Sequence, residues 1–312
     1  MTEFEAGVFG ATRTLTLPAL LAPGDRFADF VVRRRLGRGG SSEVYLVDDP
    51  DGRAVALKIL GLESVRTELA QERFRHEFDI ARNLRHPNIV AMFSHGSEEG
   101  RLWMTMQYVN GSAASTLVPG QHEIPDLARL LDVLRRIAAG LDYAHGENVL
   151  HGDVKPSNML VGRDDPALVV LTDFGIARAL DEPAPSHARR ILGSIPYAAP
   201  EVLTAQQLYP STDQYGLACS IVEFLTGRTP FPRSNKFAIA YAHRSTPPPQ
   251  LSRRRSWIPR AVDTIVGTAL AKDPLARYAS CGELVKALTD ALPDAQPTPP
   301  PRSIRRRLRR ML

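Results

Sequence analysis

His151-Gly152-Asp153-Val154-Lys155-Pro156-Ser157-Asn158-Met159-Leu160 is the stretch around which this chain of 312 residues is organised. It brings a carboxylate, a cation and a carboxamide close together and then runs into an apolar, strand-like segment. A second carboxylate, Asp173, ends another apolar run in Leu171-Thr172-Asp173-Phe174-Gly175. Two acids and an amide that converge at strand ends are suited to hold a metal ion and phosphate groups.

The composition is that of an ordinary globular protein, long enough for one large core or two moderate ones. Cys219 and Cys281 lie in apolar periodic segments, which indicates buried thiols, a reducing compartment and no disulfide framework. No apolar run is as long as a transmembrane helix. The apolar stretch 14–22 is short, broken by Pro18 and preceded by acids, so we interpret residues 1–26 as a flexible leader of a cytoplasmic protein.

Positive charge is concentrated at the C-terminal end of the sequence. Residues 302–312 hold six arginines and no acid, against a net charge of +5, so the rest of the chain is near neutral. Residues 292–301 are rich in proline and indicate an extended linker. The pattern of Ile304, Leu308 and Leu312 among the arginines is typical of a short basic amphipathic helix. This tail is either a solvated end or a weak contact for acidic lipid, nucleic acid or acidic protein, and a lipid contact would place the protein peripherally at the membrane.

The first third of the body has mainly strand signals. Apolar runs lie at 30–32, 44–47 and 54–60, and the turn Asp49-Pro50-Asp51-Gly52 between the last two predicts a hairpin. From Ser64 to Leu84 the apolar period is helical, and further strands are predicted at 89–93 and 102–106. The helix predicted here has an apolar face made of Phe74, Phe78, Ala81 and Leu84.

The remainder of the body is helical in pattern. A long apolar stripe from Leu127 to Leu141 is typical of a helix packed in a core. Later helices are predicted at 212–226, 234–243, 259–271 and 282–291. The sequence therefore predicts an α+β arrangement of a β-rich lobe and a larger helical lobe, with a cleft where they join.

A glycine-rich segment follows the first long strand: Leu36-Gly37-Arg38-Gly39-Gly40-Ser41-Ser42-Glu43-Val44. Glycines let backbone amides approach a polyanion, although an ordinary tight turn explains the segment equally well. It is not a Walker loop, because no Gly-Lys-Ser/Thr follows.

A lysine and a glutamate complete the set of charged groups in the first lobe. Lys58 ends the alternating strand Val55-Ala56-Leu57-Lys58, a position that is often a solvated edge. Glu77 lies on the inward face of its helix, where a lone carboxylate is costly. A pair between Lys58 and Glu77 accounts for both positions and fixes the lysine to reach phosphate.

The order of these motifs, with Ala199-Pro200-Glu201 after Asp173, resembles the eukaryotic-type (Hanks-type) serine/threonine protein kinases, most closely the bacterial members. The resemblance covers residues 27–291. It implies a bilobal protein kinase-like fold: a small β-rich N-lobe with one main helix at 27–106, a hinge at 107–111 and a larger, mostly helical C-lobe at 112–291.

The resemblance implies a function and a role for each matching residue. The function is phosphoryl transfer from ATP to protein Ser/Thr hydroxyls, with autophosphorylation and a signalling role. Asp153 accepts the substrate proton, Lys155 steadies the transferred phosphate, and Lys58, oriented by Glu77, holds the α and β phosphates. Asn158 and Asp173 hold Mg²⁺, or Mn²⁺ in its place. The nucleotide is covered by Leu36, Gly37, Gly39 and Gly40. Its base is sandwiched by Val44, Ala56 and Leu160. Met106 is the gatekeeper residue, and it precedes the hinge residues Gln107, Tyr108 and Val109.

Supporting residues follow from the same resemblance. Glu201 is expected to pair with Arg277. Asp213 is expected to anchor the backbone of the catalytic loop, although a helix N-cap is the simpler interpretation of this acid.

Three positions depart from the family pattern. Ser42 replaces the third loop glycine, and Ser194 stands where a threonine usually contacts the catalytic aspartate. Gly152 replaces the arginine that pairs with a phosphorylated activation loop, so we expect activity without strict dependence on that phosphorylation. Ser186, Thr12, Thr14 and Thr16 are candidate autophosphorylation sites.

Two other functions are compatible with parts of the sequence. A pseudokinase or scaffold would bind nucleotide without transferring phosphate, but Lys58, Asp153, Asn158 and Asp173 are all present. A small-molecule kinase is disfavoured by the Ala-Pro-Glu segment and the long helical lobe.

Overall fold

A computed structural model describes residues 20–39, 42–61, 68–120, 123–174, 178–179 and 194–292. These residues form a β-rich lobe and a helical lobe, which confirms the α+β, bilobal fold expected from the sequence. The leader to residue 19, Gly40, most of 175–193 and the basic tail lie outside the described residues. In the part of the chain that is described, no helix is both long and apolar enough to cross a membrane.

One antiparallel sheet of six strands builds the N-lobe, in the order β1-β2-β3-β4-β6-β5. The strands are β1 (Arg26–Phe27), β2 (Phe30–Arg38), β3 (Ser42–Asp48), β4 (Ala54–Leu60), β5 (Met92–Glu98) and β6 (Arg101–Gln107). The predicted hairpin between β3 and β4 is confirmed, since the Gly52 N–H donates to the Asp49 carbonyl at 2.9 Å. Gly52 has φ +77°, a left-handed conformation that costs glycine little.

Helix α1 (Glu68–Asn83) packs on this sheet. Phe74 and Phe78 of its apolar face are buried against the sheet, as the helical period predicts. The strand predicted at 89–93 is wrong in position: β5 begins at Met92, and Ile89 forms only an isolated bridge to Leu171. The run is apolar because Ile89 and Val90 are buried where the lobes meet, and the Val90 N–H donates to the Leu171 carbonyl at 3.0 Å.

The C-lobe is built on two long buried helices, α2 (Leu127–Gly146) and α4 (Pro210–Thr226). The Asp126 side chain caps the start of α2 by accepting the Arg129 N–H at 3.1 Å. Buried apolar side chains of α2, α4, α7 (Arg260–Ala269) and α8 (Cys281–Ala291) share one core, in which both cysteines are free and buried, as predicted. The other helices are α3 (Pro200–Leu203), α5 (Lys236–Ser245) and α6 (Leu251–Arg254).

Short strands place the polar motifs of the C-lobe. β7 (Gly111–Ala113), β9 (Met159–Gly162) and β10 (Val169–Leu171) form one small sheet, and β8 (Val149–Leu150) pairs with β11 (Arg178–Ala179). In the antiparallel β9–β10 pair, Met159 is opposite Leu171. Asn158 before β9 and Thr172 after β10 are therefore neighbours, and the Thr172 N–H donates to the Asn158 carbonyl at 2.9 Å.

Candidate active site

A buried carboxylate fixes the backbone of the loop 151–158. Asp213 of α4 accepts the His151 N–H at 2.8 Å and the Gly152 N–H at 2.7 Å, as the resemblance implied. It is not the N-cap of α4, which is Tyr209. Burial would raise the pKa of the Asp213 carboxyl. The hydrogen bond and charge of His145, the charge of His151 and the hydrogen bond from the Gly152 N–H outweigh burial, so the pKa is lowered.

Two glycines allow the shape of this loop. Gly152 has φ +77°, in the left-handed region where a side chain is strained. Gly216 of α4 lies against the loop, since a Cβ added there would be 2.9 Å from the Val154 carbonyl oxygen. His151 closes the loop from inside, with Nδ1 3.1 Å from the Asp153 N and Nε2 2.9 Å from the Thr172 carbonyl. These contacts hold Asp153 in one orientation.

Asp153 is surrounded by the other polar groups of its motif. Lys155 Nζ donates to Asp153 Oδ2 at 2.6 Å and to Ser194 Oγ at 2.8 Å. Asn158 Nδ2 donates to the Asp153 carbonyl at 2.9 Å and to Oδ2 at 3.2 Å. Both side-chain donors found among the described residues use Oδ2, so Oδ1 is left to meet another group. Ser194 therefore reaches Asp153 through Lys155, where a direct contact was expected.

Asp173 is brought to the same place from the end of β10. Its carboxylate Oδ1 accepts a hydrogen bond from Lys58 Nζ of β4, which joins the two lobes. Asp173 has φ +64°, an uncommon backbone conformation for a residue other than glycine. Burial would raise the pKa of this carboxyl, but the adjacent Lys58 ammonium outweighs burial and holds the pKa below its usual value. A carboxylate that is ionised and carried on a backbone held in an uncommon conformation suits a cation-binding role.

Two sequence expectations for the first lobe are only partly covered by the structure. The side chain of Glu77 and the residue Gly40 lie outside the described residues, so the Lys58–Glu77 pair stays a prediction. Gly37 is paired with Val44 across β2 and β3, and the Gly39 N–H donates to the Ser42 carbonyl at 2.8 Å. A Cβ added at Gly37 would meet no atom within 4 Å, so the chain's own packing does not explain this glycine.

The residues expected to hold the base belong to one apolar cluster where the lobes meet. Ala56 and Met106 are buried and Leu36, Val44 and Leu160 are half-buried in a single cluster. The Thr172 hydroxyl donates to Met106 Sδ at 3.8 Å, so Met106 borders the Asp173 site. The Gln107 N–H is taken by the Ala91 carbonyl at 2.8 Å, whereas no hydrogen bond of the described chain uses the Val109 N–H. Tyr108 points outward, its hydroxyl 3.1 Å from Arg34 Nη2.

The expected pair of Glu201 and Arg277 is confirmed and is fully buried. Two guanidinium nitrogens donate to the two carboxylate oxygens, at 2.8 and 2.9 Å. Arg277 also donates to the Ser211 carbonyl at 2.7 Å and the Ala271 carbonyl at 3.0 Å, and the Thr212 hydroxyl donates to Glu201 at 2.8 Å. The Ala-Pro-Glu segment is thereby tied to the start of α4 and to the stretch between α7 and α8.

Sequence reasoning missed two side chains beside the site. His145, in the last turn of α2, has Nε2 2.8 Å from Asp213 Oδ2 and so supports the acid that holds the loop. The Tyr197 hydroxyl donates to Glu223 Oε2 at 2.6 Å, and burial raises the pKa of the Glu223 carboxyl. The histidine in the last turn of α2 and the acid Glu223 within the apolar part of α4 are both visible in the sequence, but the sequence does not indicate their partners.

A second group of potential metal ligands lies behind the loop. Ligand atoms of Asp142, His145 and Cys281 are all within 4.8 Å of one another. The Asp142 oxygens already accept the Cys281 and Gly282 N–H groups, each at 2.8 Å, and His145 is bonded to Asp213. These contacts cap α8 and attach it to α2, so the cluster is structural.

Comparison with known proteins agrees with this geometry. The model of the protein kinase domain family matches residues 30–288. The chain is 40% identical over 276 residues to the serine/threonine-protein kinase PknJ of Mycobacterium tuberculosis, a match that covers 87% of this chain and 46% of PknJ. For PknF of the same organism the identity is 37%, covering 86% of this chain and 57% of PknF. The chain thus spans about half the length of the curated relatives it matches.

Solved structures show the same likeness. The Mycobacterium tuberculosis PknI kinase domain is 31% identical with a TM-score of 0.70, and the match covers 87% of this chain and 100% of that one. With the family model matching nearly the whole of the described body, and with the site residues brought together in order, this chain belongs to the protein kinase domain family.

Proposed function

We propose that this chain transfers the γ-phosphate of ATP to serine and threonine hydroxyls of proteins. The observation that carries the proposal is the convergence of Asp153, Lys155, Asn158 and Asp173 in one cleft, with Lys58 reaching them from the other lobe. Phosphoryl transfer depends on in-line positioning and charge neutralisation, and this set of groups supplies both.

Each residue of the set has a distinct task in the proposed reaction. Asp153 Oδ1 accepts the proton of the acceptor hydroxyl while the hydroxyl oxygen forms a bond to the γ-phosphorus. At the same time the bond from that phosphorus to the bridging oxygen breaks, and ADP leaves with this oxygen. Lys155, held between Asp153 and Ser194, neutralises charge on the phosphoryl oxygens. Lys58 holds the α and β phosphates, and Glu77 orients it.

A divalent cation fits the donors at the far side of the cleft. The carboxylate of Asp173 and the amide oxygen of Asn158 are hard ligands of the kind that Mg²⁺ prefers, and Mn²⁺ is the alternative. The ionised state favoured at Asp173 suits this role. When bound, the metal neutralises the charge that the phosphates carry.

The adenine ring is proposed to lie in the apolar space between Ala56, Val44 and Leu160. The Val109 N–H of the hinge is suited to donate to the base, and Met106 limits the depth of the space. Leu36, Gly37, Gly39 and Gly40 cover the phosphates. The three glycines have no side chain, so their backbone N–H groups can approach the phosphate oxygens.

The assignment to protein Ser/Thr hydroxyls is supported by relatives named serine/threonine-protein kinases. It is also supported by the Ala-Pro-Glu segment and its buried ion pair between Glu201 and Arg277. A nucleotide-binding pseudokinase or scaffold is the alternative. It would keep the apolar space and Lys58 but would not need an oriented Asp153.

Gly152 predicts how this activity is regulated. The family arginine at this position would pair with a phosphorylated loop, and here the backbone is left-handed and carries no side chain. We expect the phosphatase-treated chain, given γ-labelled ATP, magnesium and a protein acceptor, to label serine or threonine at its full rate from the first turnovers. A lag that disappears as the chain rephosphorylates itself would contradict the regulatory proposal, whereas no labelling at all would contradict the kinase assignment.

We also propose that the arginine-rich residues 302–312 attach a cytoplasmic chain weakly to anionic membrane surfaces. Six arginines among spaced apolar residues give an attraction that salt screens. Co-sedimentation with vesicles containing anionic lipid should decrease when residues 302–312 are deleted and when salt is raised. Equal sedimentation of the full and shortened chains would remove this proposal.

A further inference from the structure

Helix α5 exposes two aromatic side chains on one face. Phe237 is 88% exposed and Tyr241 is 67% exposed, and their spacing of four residues places them side by side on the helix surface. The other face of α5 carries Ala242 and His243, which are both buried. Neighbouring exposed aromatics of this size are typical of protein contact surfaces.

The sequence around these aromatics is one-sided in charge. Residues 224–262 contain eight arginines and lysines and no aspartate or glutamate, although the whole chain holds 34 acids. Arg228, Arg233, Lys236, Arg244 and Arg253 are all exposed. No ion pair with a carboxylate is found for any of these five within the described residues.

Part of this positive charge is held together by the fold. Arg254 of α6 donates to the Pro230 carbonyl at 2.7 Å, which fixes it beside the loop between α4 and α5. Burial, and then the charges of Arg228 and Arg233, lower the pKa of Arg254, so the three guanidinium groups repel one another. An anionic partner relieves this repulsion, and carboxylates match the planar fork of arginine.

The surface also has a favourable position relative to the catalytic cleft. α5 packs against the turn Ile195–Tyr197, which directly follows Ser194, the partner of Lys155. His243 on the inner face of α5 is 2.9 Å from the Tyr215 hydroxyl of α4. A protein segment bound to the outer face of α5 would thus be held beside the place where an acceptor hydroxyl must enter.

We propose that Phe237 and Tyr241, together with arginines 228, 233 and 244, form a docking patch for an acidic segment of the protein substrate. The segment carries aspartates or glutamates together with an aromatic or aliphatic side chain. This inference rests on the proposed protein kinase function, because it names the chemistry by which that function selects its substrates.

The test measures binding of fluorescent probes to the full chain by anisotropy. The first probe is a short peptide of aspartate and glutamate with one phenylalanine and one leucine, and without hydroxyl residues. Its counterpart has lysine for each acid, and the third probe is a short single-stranded RNA. The variants are Phe237→Ser with Tyr241→Ser, and Arg228→Ala with Arg233→Ala. Matched controls are Leu275→Ser, which is 78% exposed elsewhere on the C-lobe, and Arg53→Ala with Arg135→Ala.

We expect the acidic peptide to bind the unmodified chain and each patch variant to weaken this binding by about tenfold, with both controls near the unmodified chain. Equal binding of the acidic and lysine peptides, or patch variants that bind like the unmodified chain, would overturn the docking patch. RNA that binds more tightly than the peptide, and loses binding in the same variants, would replace it with a nucleic-acid surface.

A parallel assay separates the two proposals. Transfer of phosphate to a short uncharged serine peptide should be unchanged in the patch variants, since they leave the cleft intact. If the unmodified chain binds the acidic peptide but transfers no phosphate, the proposed function fails and the patch survives. Transfer without any binding of the acidic peptide overturns the patch and leaves the proposed function standing.

Discussion

Asp153→Asn will reduce the rate of γ-phosphate transfer by about 10²–10⁴-fold, the range that a positioned general base contributes. The amide keeps the size of the carboxylate but cannot take the proton of the acceptor hydroxyl at neutral pH. Because Lys155 at 2.6 Å and Asn158 at 3.2 Å both donate to the position of Oδ2, the amide oxygen should take that position and leave the amide nitrogen, a donor, in place of Oδ1. The measurement is the initial rate of transfer from labelled ATP, beside the affinity of the variant for a fluorescent ATP analogue.

The matched control for this prediction is Asp290→Asn, at an exposed carboxylate paired with Lys286 far from the cleft. Nucleotide affinity should stay close to that of the unmodified chain in both variants, because Asp153 contacts the acceptor hydroxyl and not the base. A rate for Asp153→Asn equal to that for Asp290→Asn would remove Asp153 from the reaction.

Arg277→Met will lower the free energy of unfolding by about 3–5 kcal/mol, the usual cost of breaking a buried ion pair from one side. The Glu201 carboxylate, only 2% exposed, then keeps the Thr212 hydroxyl as its remaining side-chain donor. Since whole domains are stable by about 5–15 kcal/mol, a large share of the fold's stability is at stake. Thermal unfolding followed by circular dichroism should show a midpoint lower by roughly 6–20 °C.

Two further variants show whether the loss comes from the unpaired charge. Combining Arg277→Met with Glu201→Gln removes the uncompensated carboxylate, so the double variant should recover part of the stability. Arg135→Met, which breaks an exposed pair with Asp132, should cost less than about 1 kcal/mol. Equal midpoints for Arg277→Met and Arg135→Met would show that the buried pair does not stabilise the C-lobe.

Local patterns were sufficient to predict most of the elements of this fold. The stripe from Leu127 to Leu141 and the Asp49–Gly52 turn involve residues close in sequence, so period and turn chemistry were enough. The strand predicted at 89–93 was misplaced because its apolar residues make contacts far away in the sequence. Ile89 and Val90 are apolar because they pack at the join of two lobes and bond to Leu171, a contact that no local pattern reveals.

The candidate site divides in the same way. Asp153, Asn158 and Asp173 could be found because each follows or precedes an apolar strand in a recognisable order. The path from Ser194 through Lys155 to Asp153, and the support of Asp213 by His145, join residues far apart in the chain. Their types were visible in the sequence, but their partners are set by the packing of α2 and α4 behind the loop.

The central claim is that this cleft moves the terminal phosphate of ATP onto protein Ser/Thr hydroxyls. The most direct measurement incubates the full chain and a protein acceptor with magnesium and ATP labelled at either the α or the γ phosphate, followed by phosphoamino acid analysis. We predict label from the γ position only, on phosphoserine or phosphothreonine, and lost in Asp153→Asn. Nucleotide binding without any γ-label in protein, or label confined to phosphotyrosine, would contradict the claim.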